Sequence, residues 1–177
     1  MTEKNDTSRL NEKYIFRNIR QEEITQAAEI EKICFPPNEA CSYEHMEKRV
    51  DKAPELFLVA EDSATGRIAG FLNGLATDRE HLTDDFFTDA EMHDPKGKNI
   101  MLLGLDVLPE YQRQGLAREL VRCYKEREKA NGREKLILTC LPDKVEMYQK
   151  FGFKDHGIGG SVWGGEAWHE MSVELWG

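Results

Sequence analysis

The run from Asn99 to Leu108 is almost unbroken in apolar side chains, and only a short polar turn separates it from an amphipathic helix. An apolar run of this length without polar alternation predicts a central strand buried on both faces. The following segment, from about Gly115 to Ala130, sets Leu116, Leu120, Val121 and Tyr124 at helical spacing and stops at Asn131-Gly132. Lys135 to Cys140 then reads as the next strand. A strand, a crossover helix and a second strand in direct succession point to a mixed α/β domain.

The rest of the chain fits around that unit. Tyr14 to Arg20 alternates as a strand. Ile24, Ala27, Ala28, Ile30 and Cys34 mark a helix that ends at Phe35-Pro36-Pro37. Tyr43 to Lys52 reads as a second, highly charged helix. Leu56 to Ala60 and Arg67 to Ala76 are expected to form an antiparallel hairpin around a turn at Ser63-Ala64-Thr65-Gly66. Thr77 to Lys98 shows no period and is expected to be a long loop, a length at which connections often serve as lids or binding loops. Asp143 and Glu146 have the spacing of a capping box for a short helix through Lys150. Phe153 and the segment from Trp168 to Leu175 supply closing strands around a glycine-rich stretch. The expected order is β-α-α-β-β-β-α-β-α-β-β in one domain over residues 13–177, with residues 1–12 a polar, disordered tail.

The chain has 177 residues and a formal net charge of −9, which argues against a general nucleic-acid partner. No stretch is apolar enough to span a membrane and no secretory pattern opens the sequence, so cytoplasmic residence is the default expectation. The four cysteines lack paired ligand spacing and read as inert thiols rather than a metal site. Charge is uneven: Asp78 to Asp94 is acidic, whereas Gln112 to Lys135 is rich in Arg and Lys. Such a chain could hold an anionic cofactor at one place and a cation at another, or simply present two solvated faces.

The junction Leu105 to Ala117 carries the chemistry. A helix N-terminus offers free backbone N–H groups and a partial positive charge to an anion. Gly115 and Ala117 permit close approach to the backbone, and Arg113 and Arg118 could add charge-assisted contacts. The spacing Gln112-x-x-Gly115-x-Ala117 is neither a dinucleotide fingerprint nor a P-loop. It resembles the acetyl-CoA motif of the GNAT acetyltransferases. Met147-Tyr148-Gln149-Lys150-Phe151-Gly152-Phe153 likewise resembles that family's Tyr-x-x-x-Gly-Phe segment.

That resemblance implies a single-domain GNAT fold, a splayed mixed sheet flanked by helices on both faces, and acetyl-CoA as cofactor. It implies pantetheine pairing with the backbone of Leu105, Asp106 and Val107, and pyrophosphate binding by Arg113, Gln114, Gly115, Leu116, Ala117 and Arg118. Asp78 to Leu82, Tyr111 to Gly115, Val145 to Phe153 and Glu170-Met171 look most like the serotonin (arylalkylamine) branch.

Acetyl transfer to an amine needs a neutral nucleophile, stabilisation of the oxyanion, and a proton for the departing thiolate. A backbone N–H near Leu105 could serve the oxyanion, and the resemblance places the acid at Tyr148, a residue that its helical spacing alone would make a half-buried aromatic. The serotonin branch carries two histidines where this chain has Met101 and Leu103, so that proton path is absent. Glu80, Glu166 and His169 are candidate replacements, directly or through a water chain, unless an acceptor amine of depressed pKa needs no base. Trp163, Trp168 and the segment Phe35 to Cys41 are candidate walls for an acceptor pocket, with core packing the plainer alternative for either tryptophan. The expected acceptor is a small-molecule amine. A protein or peptide amine, or a catalytically weak acetyl-CoA sensor, are the alternatives, and a homodimer is possible.

Overall fold

A computed structural model describes residues 10–176. The strands are β1 (Tyr14–Asn18), β2 (Phe57–Asp62), β3 (Ile68–Thr77), β4 (Asn99–Val107), β5 (Lys135–Cys140), β6 (Lys154–Ile158) and β7 (His169–Glu174). The helices are α1 (Ile24–Cys34), α2 (Tyr43–Lys52), α3 (Leu116–Ala130) and α4 (Val145–Lys150). The strands form one sheet in the order β1-β2-β3-β4-β5-β7-β6. Every neighbouring pair is antiparallel except β4 and β5, which α3 joins as a parallel crossover. The expected α/β order holds throughout.

All of β3 is buried, and its consecutive residues identify the helical layers. Asn73 accepts from Arg49 Nη1 of α2 at 3.3 Å. A Cβ on Gly74 would lie 3.1 Å from the Tyr124 hydroxyl of α3 and 2.6 Å from the Met101 carbonyl oxygen. Adjacent strand residues point to opposite faces, so α2 covers one face and α3 the other. A side chain at position 74 would strike the β4 backbone and crowd the Tyr124 hydroxyl, which donates to the Leu56 carbonyl at 3.0 Å.

The sheet parts in its middle. β4 and β5 pair only from Asn99↔Lys135 to Met101↔Ile137. Beyond Met101 the two strands have no mutual register, although β4 runs on to Val107. A bulge on β4 opposite Asn73 and Gly74 begins at the same level. Bulges bend and twist a strand, which turns the outer half of β4 away from β5.

Three expectations change in detail. The acidic stretch contains two 3₁₀ turns, Asp84–Phe87 and Ala90–Met92, with Leu82, Phe86 and Ala90 buried. Glu170 accepts from the Leu82 N–H at 2.9 Å and Asp84 from the Val162 N–H at 3.1 Å. The stretch is therefore pinned to the C-terminal strands rather than hung as a lid. Asp143 caps nothing: Pro142–Lys144 is a 3₁₀ turn, and α4 starts after it without a side-chain cap. Of the expected tail, residues 1–9 lie outside the described residues. Leu10 to Lys13 are helical, and Leu10 is buried.

Candidate active site

The gap between β4 and β5 opens into a cavity of about 720 Å³. Leu116, Ala117 and Val121 of α3 line it, as do Glu31 and Cys34 of α1 and Arg49 of α2. Because those helices lie on opposite faces, the cavity passes through the sheet.

At its α3 end the backbone is built for an anion. Gly115 has φ 81° and Arg113 φ 63°, both left-handed. This reverses the chain immediately before α3, so that the N–H groups of the first helical turn face the cavity without intrahelical partners. A Cβ on Gly115 would meet only Leu10 Cδ1, at 3.9 Å, so glycine is needed there for its backbone angle. Arg113, Gly115, Leu116, Ala117 and Arg118 all line the cavity. Gln114 does not. Its Oε1 accepts from Lys13 Nζ and from the Tyr14 hydroxyl, each at 2.9 Å, which ties the loop to the start of β1.

Along β4, the Leu108 N–H donates to the Ala69 carbonyl at 2.9 Å. By antiparallel alternation Asp106 then turns its N–H and C=O toward β3, while Leu105 and Val107 turn theirs to the gap. The Val107 carbonyl indeed faces away from β3, accepting from Gln112 Nε2 at 3.0 Å and Cys34 Sγ at 3.4 Å. Leu105 and Val107 thus sit where an extended amide chain could pair. Asp106, expected beside them, has its backbone committed to β3 and its side chain fully buried on the α1 side. An open strand edge ending at a helix N-terminus fits the amides and pyrophosphate of coenzyme A.

Tyr148 lines the same cavity. Its ring packs edge-on against Phe151 and Phe153, with centroids 6.0 and 5.7 Å away. Burial pushes its phenol well above the ordinary tyrosine value, with Cys140 and Asp106 adding to the effect. The hydroxyl is therefore a proton donor, not a phenolate, at neutral pH. Burial also raises Cys34 and Cys41 to about 11 and Cys140 to about 12, so the three cavity thiols are un-ionised.

The base candidates separate. Glu80 is exposed, paired with Lys98 and Lys135, and held at about 2 by those two lysines. His169 pairs with Asp155 at 3.0 Å on β7. Neither lines the cavity. Glu166 faces Glu39, which lines the cavity, and burial followed by that repulsion raises Glu39. Trp163, Trp168, Phe35, Pro36, Glu39 and Cys41 do form walls there. Trp163 is fixed by stacking on Phe87, with centroids 5.0 Å apart, and by donating to the Glu39 carbonyl at 3.0 Å.

Sequence reasoning missed a carboxyl pair: Glu31, which lines the cavity from α1, and the buried Asp106 behind it. Burial first, then the facing Glu31, pushes Asp106 well above the carboxylate range. The available signal was Glu31 itself, a carboxylate in the apolar stripe of Ile24, Ala27, Ala28 and Ile30.

An anion cradle, an open strand edge and a half-buried phenol lie around one through-sheet cavity, an arrangement that fits a coenzyme A thioester. Residues 24–153 match the acetyltransferase (GNAT) family, and the chain belongs to it. A Bacillus subtilis (strain 168) protein described as probable hydrolase YhcX is 28% identical over 158 residues, covering 85% of this chain. The chain spans 30% of that relative's length. Among solved structures, the loading GNATL domain of CurA from Lyngbya majuscula is similar with a TM-score of 0.80 and 18% identity, covering 92% of this chain and 98% of that one. A phosphinothricin acetyltransferase from Sinorhizobium meliloti, solved with acetyl-CoA, has a TM-score of 0.66 and 15% identity, covering 92% and 89%. At these identities the structural likenesses establish the fold.

Proposed function

We propose that this chain acetylates the amine of a small molecule by direct attack on the thioester, with Tyr148 as general acid. The observation that carries this reading is the position of the half-buried Tyr148 phenol, which lines the gap beside the open edge of β4. Acetyl-CoA supplies the acetyl group in activated form. The Leu105 N–H, directed into the gap, is placed to bind the oxygen that gains charge. Tyr148 donates its proton to the sulfur as that atom leaves. The cavity thiols support direct attack over an acyl-cysteine, because a thiol held un-ionised is a poor nucleophile.

The acceptor end favours a compact amine with an apolar or aromatic body, given Phe35, Phe87, Trp163 and Trp168. This agrees with the resemblance to the serotonin branch, without its histidine pair. Of the acidic stretch, only Phe87 reaches the lining, which weighs against that stretch as a recruiting surface for basic peptides. A free-thiol release assay over primary amines and basic peptides tests the proposal. Turnover with amines is expected; turnover with peptides alone, or with neither, would overturn it. Acetyl-CoA and coenzyme A should each raise the melting temperature by linkage.

A further inference from the structure

Resting on that proposed function, we infer that Glu31 takes the proton from the acceptor amine and that Asp106, behind it, holds it in that role. Glu31 lines the cavity from α1, 4% exposed, and its Oε2 accepts from the Cys41 N–H at 2.8 Å. Its Oε1 and both oxygens of the fully buried Asp106 have no hydrogen-bond donor. The two carboxyls converge over Gly104, where a Cβ would lie 3.3 Å from Asp106 Oδ1 and 3.7 Å from Glu31 Oε1. Arg49 is close, with Nη1 on Asn73, Nη2 on the Phe87 carbonyl and its Nε unpartnered, and its charge partly offsets the repulsion between the carboxyls.

A buried carboxyl pair with unused acceptors is costly to keep. It is at the acceptor end of the cavity, where the transferred proton must go. The groups facing Asp106 are Glu31 and Cys34 from α1 and Arg49 from α2, while Tyr148 from α4 senses its charge. Buried beside Glu31, Asp106 keeps its proton and can donate a hydrogen bond to Glu31. An N–H bond of the ammonium breaks, its electron pair stays on nitrogen, and an O–H bond forms on Glu31; the second N–H proton, lost as the amide forms, restores the Tyr148 phenol that protonated the sulfur. The proton on Glu31 passes to solvent after transfer, leaving the pair as it began. Glu31 is the catalytic group in this account and Asp106 a positioning residue.

The test uses Glu31→Gln, which keeps a carbonyl for the Cys41 N–H, and Asp106→Asn. Phenethylamine, cationic at neutral pH, and aniline, neutral there, are the acceptors. Glu31→Gln should lower kcat/KM for phenethylamine by about 10²–10⁴-fold, remove the acid limb of its pH profile, and leave aniline turnover far less affected. Asp106→Asn should move that limb while raising the melting temperature. Carboxyl ¹³C NMR of the unliganded protein should find Asp106 still protonated well above an ordinary midpoint of about 3.9, and released earlier in Glu31→Gln. Equal losses for both amines, unchanged rates, or an ordinary Asp106 titration would each overturn the inference while leaving acetyl transfer standing. Wild-type protein inert toward every amine would instead sink the proposed function, and the inference with it.

Discussion

Replacing Tyr148 with phenylalanine removes one oxygen atom and little else. The edge-on packing against Phe151 and Phe153 involves the ring alone, so both contacts survive. The hydroxyl takes no hydrogen-bond partner among the described residues, and its loss should move the melting temperature by no more than about 2 °C. The catalytic effect is separate and large. A positioned general acid contributes roughly 10²–10⁴-fold, which at about 1.36 kcal/mol per tenfold is ~2.7–5.4 kcal/mol of barrier. Thiol release measured against acetyl-CoA concentration should report this as a fall in kcat with KM for acetyl-CoA nearly unchanged. An acetyl thioester of a more acidic thiol needs less protonation and should narrow the gap between variant and wild type. A folded variant with wild-type kcat would refute the assignment. A change confined to KM would refute it too, reducing Tyr148 to a wall of the cavity.

Three other substitutions probe the frame of the site. Gly115→Ala must hold a left-handed φ of 81° with a Cβ; we expect a stability cost of about 1–2 kcal/mol and a clearly weaker affinity for coenzyme A by calorimetry. Unchanged affinity would mean the loop does not bind the pyrophosphate. Arg133→Met strands Glu128, 2% exposed at its side chain, and frees the Pro95 carbonyl; unfolding in urea should be easier by about 3–5 kcal/mol. That penalty should shrink in acid, since burial already raises Glu128 and its protonation removes the stranded charge. His93 accepts from the Ala76 N–H at 3.0 Å, and burial lowers its pKa. A depressed histidine stabilises the fold fully above its unfolded value of about 6.5 and loses that contribution as pH falls through the folded value. The melting temperature should decline over that acidic window in wild type and less in His93→Gln; parallel profiles would exclude His93 as the cause.

Periodicity reached most of the fold because each element has one face to bury. Ile24–Cys34 and Tyr43–Lys52 have the bounds their spacing predicts, and the Asn99–Val107 strand is central. The end of β4–β5 pairing after Met101 was not legible, because it depends on a bulge and a register that only the neighbouring strands fix. The strand–turn–helix junction at Gly115 was legible because its shape is a matter of backbone conformation, which one glycine between an apolar strand and an amphipathic helix signals. The carboxyl pair was not, since Glu31 and Asp106 are far apart in sequence and meet only when α1 packs on the sheet. Glu80 misled for the converse reason: an acidic residue looks reactive in a string of letters, whereas two lysines hold it at the surface.

The opening between β4 and β5 has a kinetic consequence. Arg113 and Gln112 are exposed at one end of the cavity, and Pro36 at the other. Under the proposed function the two reactants arrive and depart by different doors, neither queuing behind the other. A double-reciprocal plot should give intersecting lines, the pattern of a ternary complex. Acceptor analogues should then fail to compete with the coenzyme, even when they fill their own half of the passage.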